Sequence, residues 1–245
     1  MKADPQTQRQ LLELQLIDTT LAQLAHRARH LPEHAELQRH SEQSQALSDE
    51  RANALVAVDD LDRDIARMER DVDQVRQRAA KDQRQLDSGA GAPKDLENLQ
   101  HEIGTLARRQ DELEDAELEL MEQREQAQGA LDSVDGRLAT LRDEQAATQK
   151  RLDDAMGEIS AQQARQAEAR ESLASSLPED LIGLYEKIRE QTGMGAAMLR
   201  ARRCEGCRLE LSGADLAQVR TAAEDEVVRC EECRRILVRT PESGL

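Results

Sequence analysis

The four cysteines of the chain form two pairs towards its C-terminal end. Cys204 and Cys207 have two residues between them, as do Cys230 and Cys233, and residues 208–229 separate the pairs. A two-residue gap lets both sulfurs of a pair reach one metal ion from a tight turn. Two such turns complete the tetrahedral thiolate shell that Zn²⁺ accepts in structural sites. The spacing therefore predicts one structural Zn²⁺ held by all four cysteines.

Two other uses of the cysteines have less support. A redox dithiol normally has a single C-x-x-C motif beside a βαβ pattern, and this sequence has two motifs without that pattern. Two disulfides would need an oxidising compartment. Residues 1–10 contain no apolar segment of the signal-peptide type, and no apolar run approaches the roughly 18 residues that span a membrane. We therefore expect a cytoplasmic protein with reduced thiols and no membrane contact.

The composition indicates long exposed helices rather than a conventional globular core. The 245 residues include no Phe and no Trp, and Tyr185 is the single tyrosine. Charged residues make up 34% of the chain, and the net charge is −16. Residues 1–180 hold 23 Lys and Arg against 39 Asp and Glu, whereas residues 181–245 hold 11 of each. The acidic first part is expected to repel the phosphates of nucleic acids.

Apolar residues recur at alternating spacings of three and four over residues 47–86 and again over residues 96–173. This 3.5-residue period is typical of left-handed coiled coils. Residues 89–93 between the two stretches contain two glycines and a proline, which favour a turn and a helix start. The pattern predicts a long antiparallel coiled-coil hairpin. Its tip is predicted near residues 87–95, with Asp87, Pro93, Lys94 and Asp95.

Two interruptions divide the predicted fold. The register of an earlier amphipathic block ends at Leu31-Pro32, and because proline breaks a helix we expect a kink near residues 30–34. The long periodicity fades after Leu173. We therefore predict a mainly α protein with a hairpin domain over residues 1–175. Residues 176–245 are predicted to form a short helix and a small Cys₄ zinc ribbon with short β-strands.

Arginines crowd the predicted metal site. Some of them would offset the double negative charge of a four-thiolate zinc, and others could form a surface for phosphate or for an acidic partner. With one tyrosine available, base-specific reading of RNA is not expected, and contact with the RNA backbone remains open. The candidate contact residues are Arg202, Arg203, Arg208, Arg234 and Arg235.

No enzyme signature is present. The sequence has no P-loop, GxGxxG or GxSxG motif. His26 and His30 are four residues apart on a helix, but no third ligand accompanies them. A zinc with four thiolates leaves no open position for water. We expect neither catalysis nor a small-molecule substrate.

Three stretches carry a resemblance to a known family. Residues 92–103 resemble an NPKEL…LQ.EI hairpin turn, and residues 204–237 resemble a CxGC…CxxCGRIL ribbon. Between them, residues 195–198 stand where the family has a strand of small residues. The chain thereby resembles the bacterial C4-type zinc ribbon, coiled-coil proteins related to the flagellar regulator FlgZ. Arg234 stands where that family usually has glycine, and Ala92 replaces its usual asparagine. The resemblance implies a twisted helical hairpin with a C-terminal ribbon whose cysteines bind zinc.

Three functions remain open. Some members of the family bind an alternative sigma factor of the RpoN type and some bind flagellin mRNA, but no residue here identifies either partner. The leading hypothesis is a non-enzymatic adaptor for a protein partner, such as a sigma factor or another transcription component. The second is RNA binding through the ribbon arginines. The third is a polymerase-channel factor of the Gre or DksA kind acting through Asp87 and Asp95, although the hairpin is long and Lys94 dilutes the charge.

Overall fold

The computed structural model describes residues 1–245 and has the predicted mainly α architecture. A long helical hairpin is followed by a small region of strands that carries the cysteines. No helix combines the length and the apolar character that crossing a membrane requires. The five helices are α1 (Pro5–Arg29), α2 (Pro32–Asp87), α3 (Pro93–Ser175), α4 (Glu179–Thr192) and α5 (Gly213–Thr221).

Proline and glycine set the breaks between the first three helices. α1 ends at Arg29 and α2 begins at Pro32, so the chain breaks within the predicted range of 30–34. Proline suits the first helical position because its missing N–H would have no partner there. The same logic applies at Pro93, which begins α3. Gly89, in the turn before it, has a φ of 63° that side chains rarely adopt.

The chain folds into two units. The hairpin unit comprises residues 35–149, and the zinc-ribbon unit comprises residues 1–34 and 150–245. This division differs from the predicted domains, which placed α1 with the hairpin in residues 1–175. The reason lies in α1, whose Leu11 and Leu14 are fully buried in the core of the zinc-ribbon unit.

The hairpin unit is held by the predicted seam. Leu47 of α2 packs with Val134, Leu138 and Leu141 of α3, and each of these side chains is buried. The buried and half-buried positions of both helices follow the spacing of three and four found in the sequence. The coiled-coil prediction is therefore confirmed.

Ion pairs flank this seam and show its direction. Asp135 accepts from Arg51 at 2.6 Å, and Glu114 accepts from Arg76 at 2.7 Å. Arg76 follows Arg51 in α2, whereas its partner Glu114 precedes Asp135 in α3, so the two helices are antiparallel. All four side chains are at least 35% exposed. Because water screens exposed ion pairs, these pairs contribute to register more than to stability.

The zinc-ribbon unit contains a four-stranded sheet with the order β2-β1-β4-β3. β1 and β4 run parallel, and the two outer pairings are antiparallel. A 3₁₀ turn, Pro241–Ser243, follows the last strand. The strands are β1 (Ala196–Arg200), β2 (Arg203–Cys204), β3 (Val228–Arg229) and β4 (Ile236–Val238).

Alternate faces of this sheet belong to two small cores. Ala196 and Ile236 join the apolar residues of α1 and α4, including Tyr185. Ala197 and Leu237, one residue further along each strand, join the cysteines and Val219 of α5. Because side chains alternate along a strand, the sheet separates the cysteine core from the helical core.

Candidate metal centre

The two cysteine turns have the same backbone geometry. In the first turn the Arg208 N–H donates to the Cys204 carbonyl at 2.7 Å, and the Cys204 N–H donates to the Leu209 carbonyl at 3.0 Å. The second turn repeats both bonds, from Arg234 to Cys230 at 2.8 Å and from Cys230 to Arg235 at 3.0 Å. Each turn thereby presents its two sulfurs towards the other turn.

A left-handed residue follows each cysteine pair. Arg208 has a φ of 62° and Arg234 a φ of 63°. This is the position at which the resembling family usually has glycine in the second turn. The left-handed conformation costs a residue with a Cβ roughly 1–2 kcal/mol. The Arg234 backbone therefore keeps the turn that glycine would make, at some strain.

The four sulfurs lie close enough to share one ion. The Cys204 and Cys233 sulfurs are 3.8 Å apart, those of Cys207 and Cys230 are 3.9 Å apart, and all four lie within 4.8 Å of one another. A tetrahedral zinc with bonds of about 2.3 Å separates its sulfurs by about 3.8 Å. The cysteines therefore form a C4-type site for one structural Zn²⁺. No other group of three or more His, Cys, Asp or Glu side chains has such geometry.

Burial and backbone hydrogen bonds act in opposite directions on the pKa of the cysteine thiols. Burial raises the pKa of the Cys204 thiol to about 12, and burial also raises the pKa of Cys230. The backbone N–H groups of Gly206 and Cys207 act in the opposite direction, because they donate to the Cys204 sulfur and favour its thiolate. A divalent ion among the four sulfurs offsets the cost of burying thiolates, and the N–H groups continue to stabilise the Cys204 thiolate.

Arg235 packs against the metal site. Its guanidinium donates to the Thr192 carbonyl at the end of α4, at 3.1 Å. A Cβ added to Gly206 would lie 2.8 Å from the Arg235 Cδ and 3.0 Å from the Ala197 Cβ. Arg235 was predicted as a partner contact. Its half-buried side chain lies over the first cysteine turn, and its contact with a partner stays a prediction.

The other predicted arginines differ in their availability. Arg234 pairs with Glu231 at 3.2 Å, and Arg202 donates to the Gly244 carbonyl at 3.1 Å. Arg203 and Arg208 are exposed and have no carboxylate within ion-pair distance. These two side chains are the free cations beside the metal centre.

The residues predicted at the hairpin tip are all exposed. Asp87 is the last residue of α2, and its carboxylate accepts from the Gln83 amide at 2.8 Å. Pro93 and Lys94 open α3, and the Asp95 N–H donates to the Ala92 carbonyl at 2.9 Å. Asp87 and Asp95 do not come together as a metal-binding group.

A buried polar cluster in the zinc-ribbon unit was not found by reasoning from the sequence. The Asp18 side chain of α1 is 3% exposed. It accepts from the Tyr185 hydroxyl at 2.7 Å, from Arg170 at 2.6 Å and from Arg189 at 3.3 Å. Glu186 pairs with both arginines. α1 therefore meets α4 and the end of α3, more than 150 residues further along the chain, around one carboxylate.

Gln15 extends this cluster to the sheet. Its side-chain oxygen accepts from the Gly195 N–H at 2.8 Å and from the Tyr185 hydroxyl at 3.2 Å. Gly195 immediately precedes β1, the strand that leads to the first cysteine turn. The only signal in the sequence was the single tyrosine of a chain without Phe or Trp.

Known proteins share both parts of this fold. Residues 14–193 match the model of the CT398-like coiled coil hairpin domain, and residues 203–237 match the C4-type zinc ribbon domain. A relative in Mycobacterium tuberculosis H37Rv, named "Uncharacterized protein Rv2229c", is 44% identical over 239 residues, which is 98% of each chain.

Solved structures show the same arrangement of elements. One from Mycobacterium smegmatis is 37% identical and superposes with a TM-score of 0.87, covering 98% of this chain and 100% of the other. CT398 from Chlamydia trachomatis is 18% identical with a TM-score of 0.67, over 96% of this chain and 98% of its own, and shows the fold alone. The chain belongs to the family of CT398-like coiled-coil hairpin proteins, with a C4-type zinc ribbon at its C-terminal end.

Proposed function

We propose that this protein is a non-enzymatic cytoplasmic adaptor whose acidic hairpin and zinc ribbon dock macromolecular partners. The coordination of the metal carries the proposal. Four sulfurs at tetrahedral separations fill the shell of one zinc, so neither water nor substrate has a position on it. The metal therefore serves to fix a surface, and a fixed surface favours recognition.

Two exposed surfaces support a docking role. Beside the metal, Arg203 and Arg208 are free to receive acidic groups of a partner. On the hairpin, Leu118 is 59% exposed and Met121 is 50% exposed, three residues apart on α3. Residues three apart lie on one side of a helix. The two apolar side chains follow the acidic stretch 111–117, an arrangement that suits a basic, amphipathic partner segment.

The partner class that we favour is a protein, and within it a sigma factor or another component of the transcription apparatus. This choice rests on the resemblance to proteins related to the flagellar regulator FlgZ, and that relation is part of the proposal. The hairpin and ribbon shared with CT398-like proteins agree with it.

RNA binding through the ribbon is the second candidate, and the unpaired Arg203 and Arg208 favour it. It predicts a salt-sensitive affinity for single-stranded RNA that falls when both residues become Gln. An RNA affinity that is absent, or is indifferent to this change, would dismiss the candidate. The polymerase-channel hypothesis has less support, because the exposed Asp87 and Asp95 belong to no group of three or more metal-ligating side chains.

Photo-crosslinking in cells tests the adaptor role. A crosslinking amino acid replaces Arg203 in one variant and Leu118 in another, and a third variant carries it at Arg63, a hairpin residue paired with Asp60. We expect one discrete protein product from the Arg203 or Leu118 position and none from the Arg63 position. Point variants are preferable to deletion of the ribbon, because α1 and α4 share their core with β1 and β4. The absence of a discrete product from both test positions would contradict the proposal.

A further inference from the structure

A cavity of about 370 Å³ lies in the zinc-ribbon unit, apart from the metal centre. It opens between the first turns of α1, the end of α5 and the 3₁₀ turn near the C-terminal end. None of the four cysteines lines it. Its walls therefore come from three segments that only the folded unit brings together.

Two side chains hold these walls in place. Gln8 is 2% exposed, and its amide donates to the Ala3 carbonyl at 2.7 Å and to the Glu224 carbonyl at 3.1 Å. Arg239 secures the opposite side. Its guanidinium donates to backbone carbonyls of Val219, Ala222, Ala223, Glu224 and Glu226. A ligand would therefore meet a cavity that is formed in advance, which lowers the entropy lost on binding.

The charge of the lining is positive. Arg9 and Arg220 are exposed and have no carboxylate within ion-pair distance. Arg239 is satisfied by neutral carbonyls alone. Glu224 is the one acidic side chain among the lining residues. The lining thus has three cationic side chains and one acidic side chain, whereas the whole chain has a net charge of −16. This local excess of positive charge attracts acidic groups.

Part of the lining is apolar. Val219 is 4% exposed, and Pro241 and Leu245 also line the cavity. The lining contains no Phe, Tyr or Trp, so a nucleic-acid base would find no aromatic ring on which to stack. An acidic peptide offers what the lining accepts, namely carboxylates for Arg9 and Arg220 and an aliphatic side chain for the apolar wall.

We propose that this cavity binds an acidic segment of a partner protein, with carboxylates on Arg9 and Arg220 and an aliphatic side chain against Val219 and Pro241. Arg9 and Arg220 take no part in the metal centre or in the polar cluster around Asp18. The inference deepens the adaptor role and rests on it, because it names the chemistry of one docking site.

The test uses the zinc-loaded full chain and a fluorescein-labelled peptide, Glu-Glu-Leu-Glu-Glu-Leu, whose binding is followed by fluorescence anisotropy. Gln-Gln-Leu-Gln-Gln-Leu is the neutral control, and oligouridine is the nucleic-acid arm. Arg9→Gln with Arg220→Gln is the test variant. Arg63→Gln with Arg67→Gln removes the same charge from exposed positions of the hairpin and serves as the matched control.

We expect saturable binding of the acidic peptide that weakens about tenfold or more in the test variant and less than about twofold in the control. Amide NMR signals of residues 8–9 and 219–222 should shift on titration with the peptide. Equal binding of the neutral peptide, preference for oligouridine, no saturable binding, or equal losses in the two variants would each overturn the inference.

These results are separable from the fate of the adaptor proposal. A discrete crosslinked partner at position 203 or 118, together with no peptide binding at the cavity, would remove this site and leave the adaptor role. Peptide binding at the cavity without any crosslinked partner would contradict the adaptor role and leave the cavity as a site for acidic peptides.

Discussion

Tyr185 contacts both Asp18 and Gln15 of the polar cluster in the zinc-ribbon unit through its hydroxyl. It is fully buried, and its hydroxyl donates to Asp18. Burial raises the pKa of the tyrosine hydroxyl, and the bond to Asp18 raises it further. Because the chain has no Trp and no other Tyr, ultraviolet absorbance of tyrosinate reports on this one side chain.

An alkaline titration of Tyr185 tests this burial. An unfolded tyrosine loses its proton near pH 10. The folded pKa of Tyr185 is higher, so its contribution to stability is fully present below about pH 10 and is lost as the pH rises through the folded pKa. We expect tyrosinate absorbance to appear well above pH 10 and together with the loss of helical circular dichroism. An ordinary titration near pH 10 with the fold intact would contradict the buried, hydrogen-bonded position of this hydroxyl.

Gly195 provides a second test at the residue scale. A Cβ built on it would lie 2.5 Å from the Tyr185 Cδ2 and 2.7 Å from the Tyr185 carbonyl oxygen. Gly195→Ala should therefore lower the free energy of unfolding by about 1–3 kcal/mol, because the packed ring cannot move away. Gly183→Ala in α4 is the matched control.

Gly183 has open space around its Cβ position. Alanine there should raise the free energy of unfolding by about 0.5–1 kcal/mol, since glycine loses more entropy in a helix. Urea unfolding measures the free energy of unfolding of both variants, which should fall for Gly195→Ala and rise for Gly183→Ala. A neutral Gly195→Ala substitution would show that the ring has room to adjust.

At the scale of the elements, the hairpin could be predicted from the sequence because a single period determines it. The spacing of three and four identified the buried positions of α2 and α3, and the glycines and proline of residues 89–93 identified the turn. The position of α1 could not be predicted in the same way. It is fixed by Asp18 and Gln15, whose partners Arg170, Tyr185 and Gly195 lie more than 150 residues away. Periodicity carries no information about such pairings.

The glycines inside α3 test the helix itself. Gly129 and Gly136 lie in the interior of α3, and nothing is within 4 Å of the Cβ that each would carry. Each change to Ala should raise the free energy of unfolding by about 0.5–1 kcal/mol. Leu138→Ala, at a seam position that is 4% exposed, should lower it by about 2–5 kcal/mol. Thermal unfolding followed by circular dichroism separates these effects, and a loss on Gly136→Ala would contradict the open surface of α3 at this position.

At the scale of the whole molecule, the cysteine spacing was enough to predict the metal centre, but not the unit that contains it. The two knuckles are local turns, so the sequence specifies them directly. The unit also needs α1 and α4, which share a core with β1 and β4. That core contains Leu11, Leu14 and Tyr185, and none of these residues lies near a cysteine in sequence. The charge of the cavity likewise arises from residues brought together by folding alone.

The two cores of the zinc-ribbon unit should respond differently to loss of the metal. The core that contains the cysteines depends on zinc, because so small a set of apolar residues does not offset the entropy of ordering the chain. The core around Tyr185 has its own apolar and polar contacts. The hairpin unit contains no cysteine and should not respond at all.

The dependence of the ribbon on zinc can be measured by hydrogen exchange with mass spectrometry, on the zinc-loaded chain before and after chelation. We predict one zinc per chain, a large loss of protection over residues 203–235 on chelation, and unchanged protection of the paired helices over residues 35–149. Unchanged protection of residues 203–235 in the metal-free protein would contradict the conclusion that a four-cysteine zinc maintains this fold.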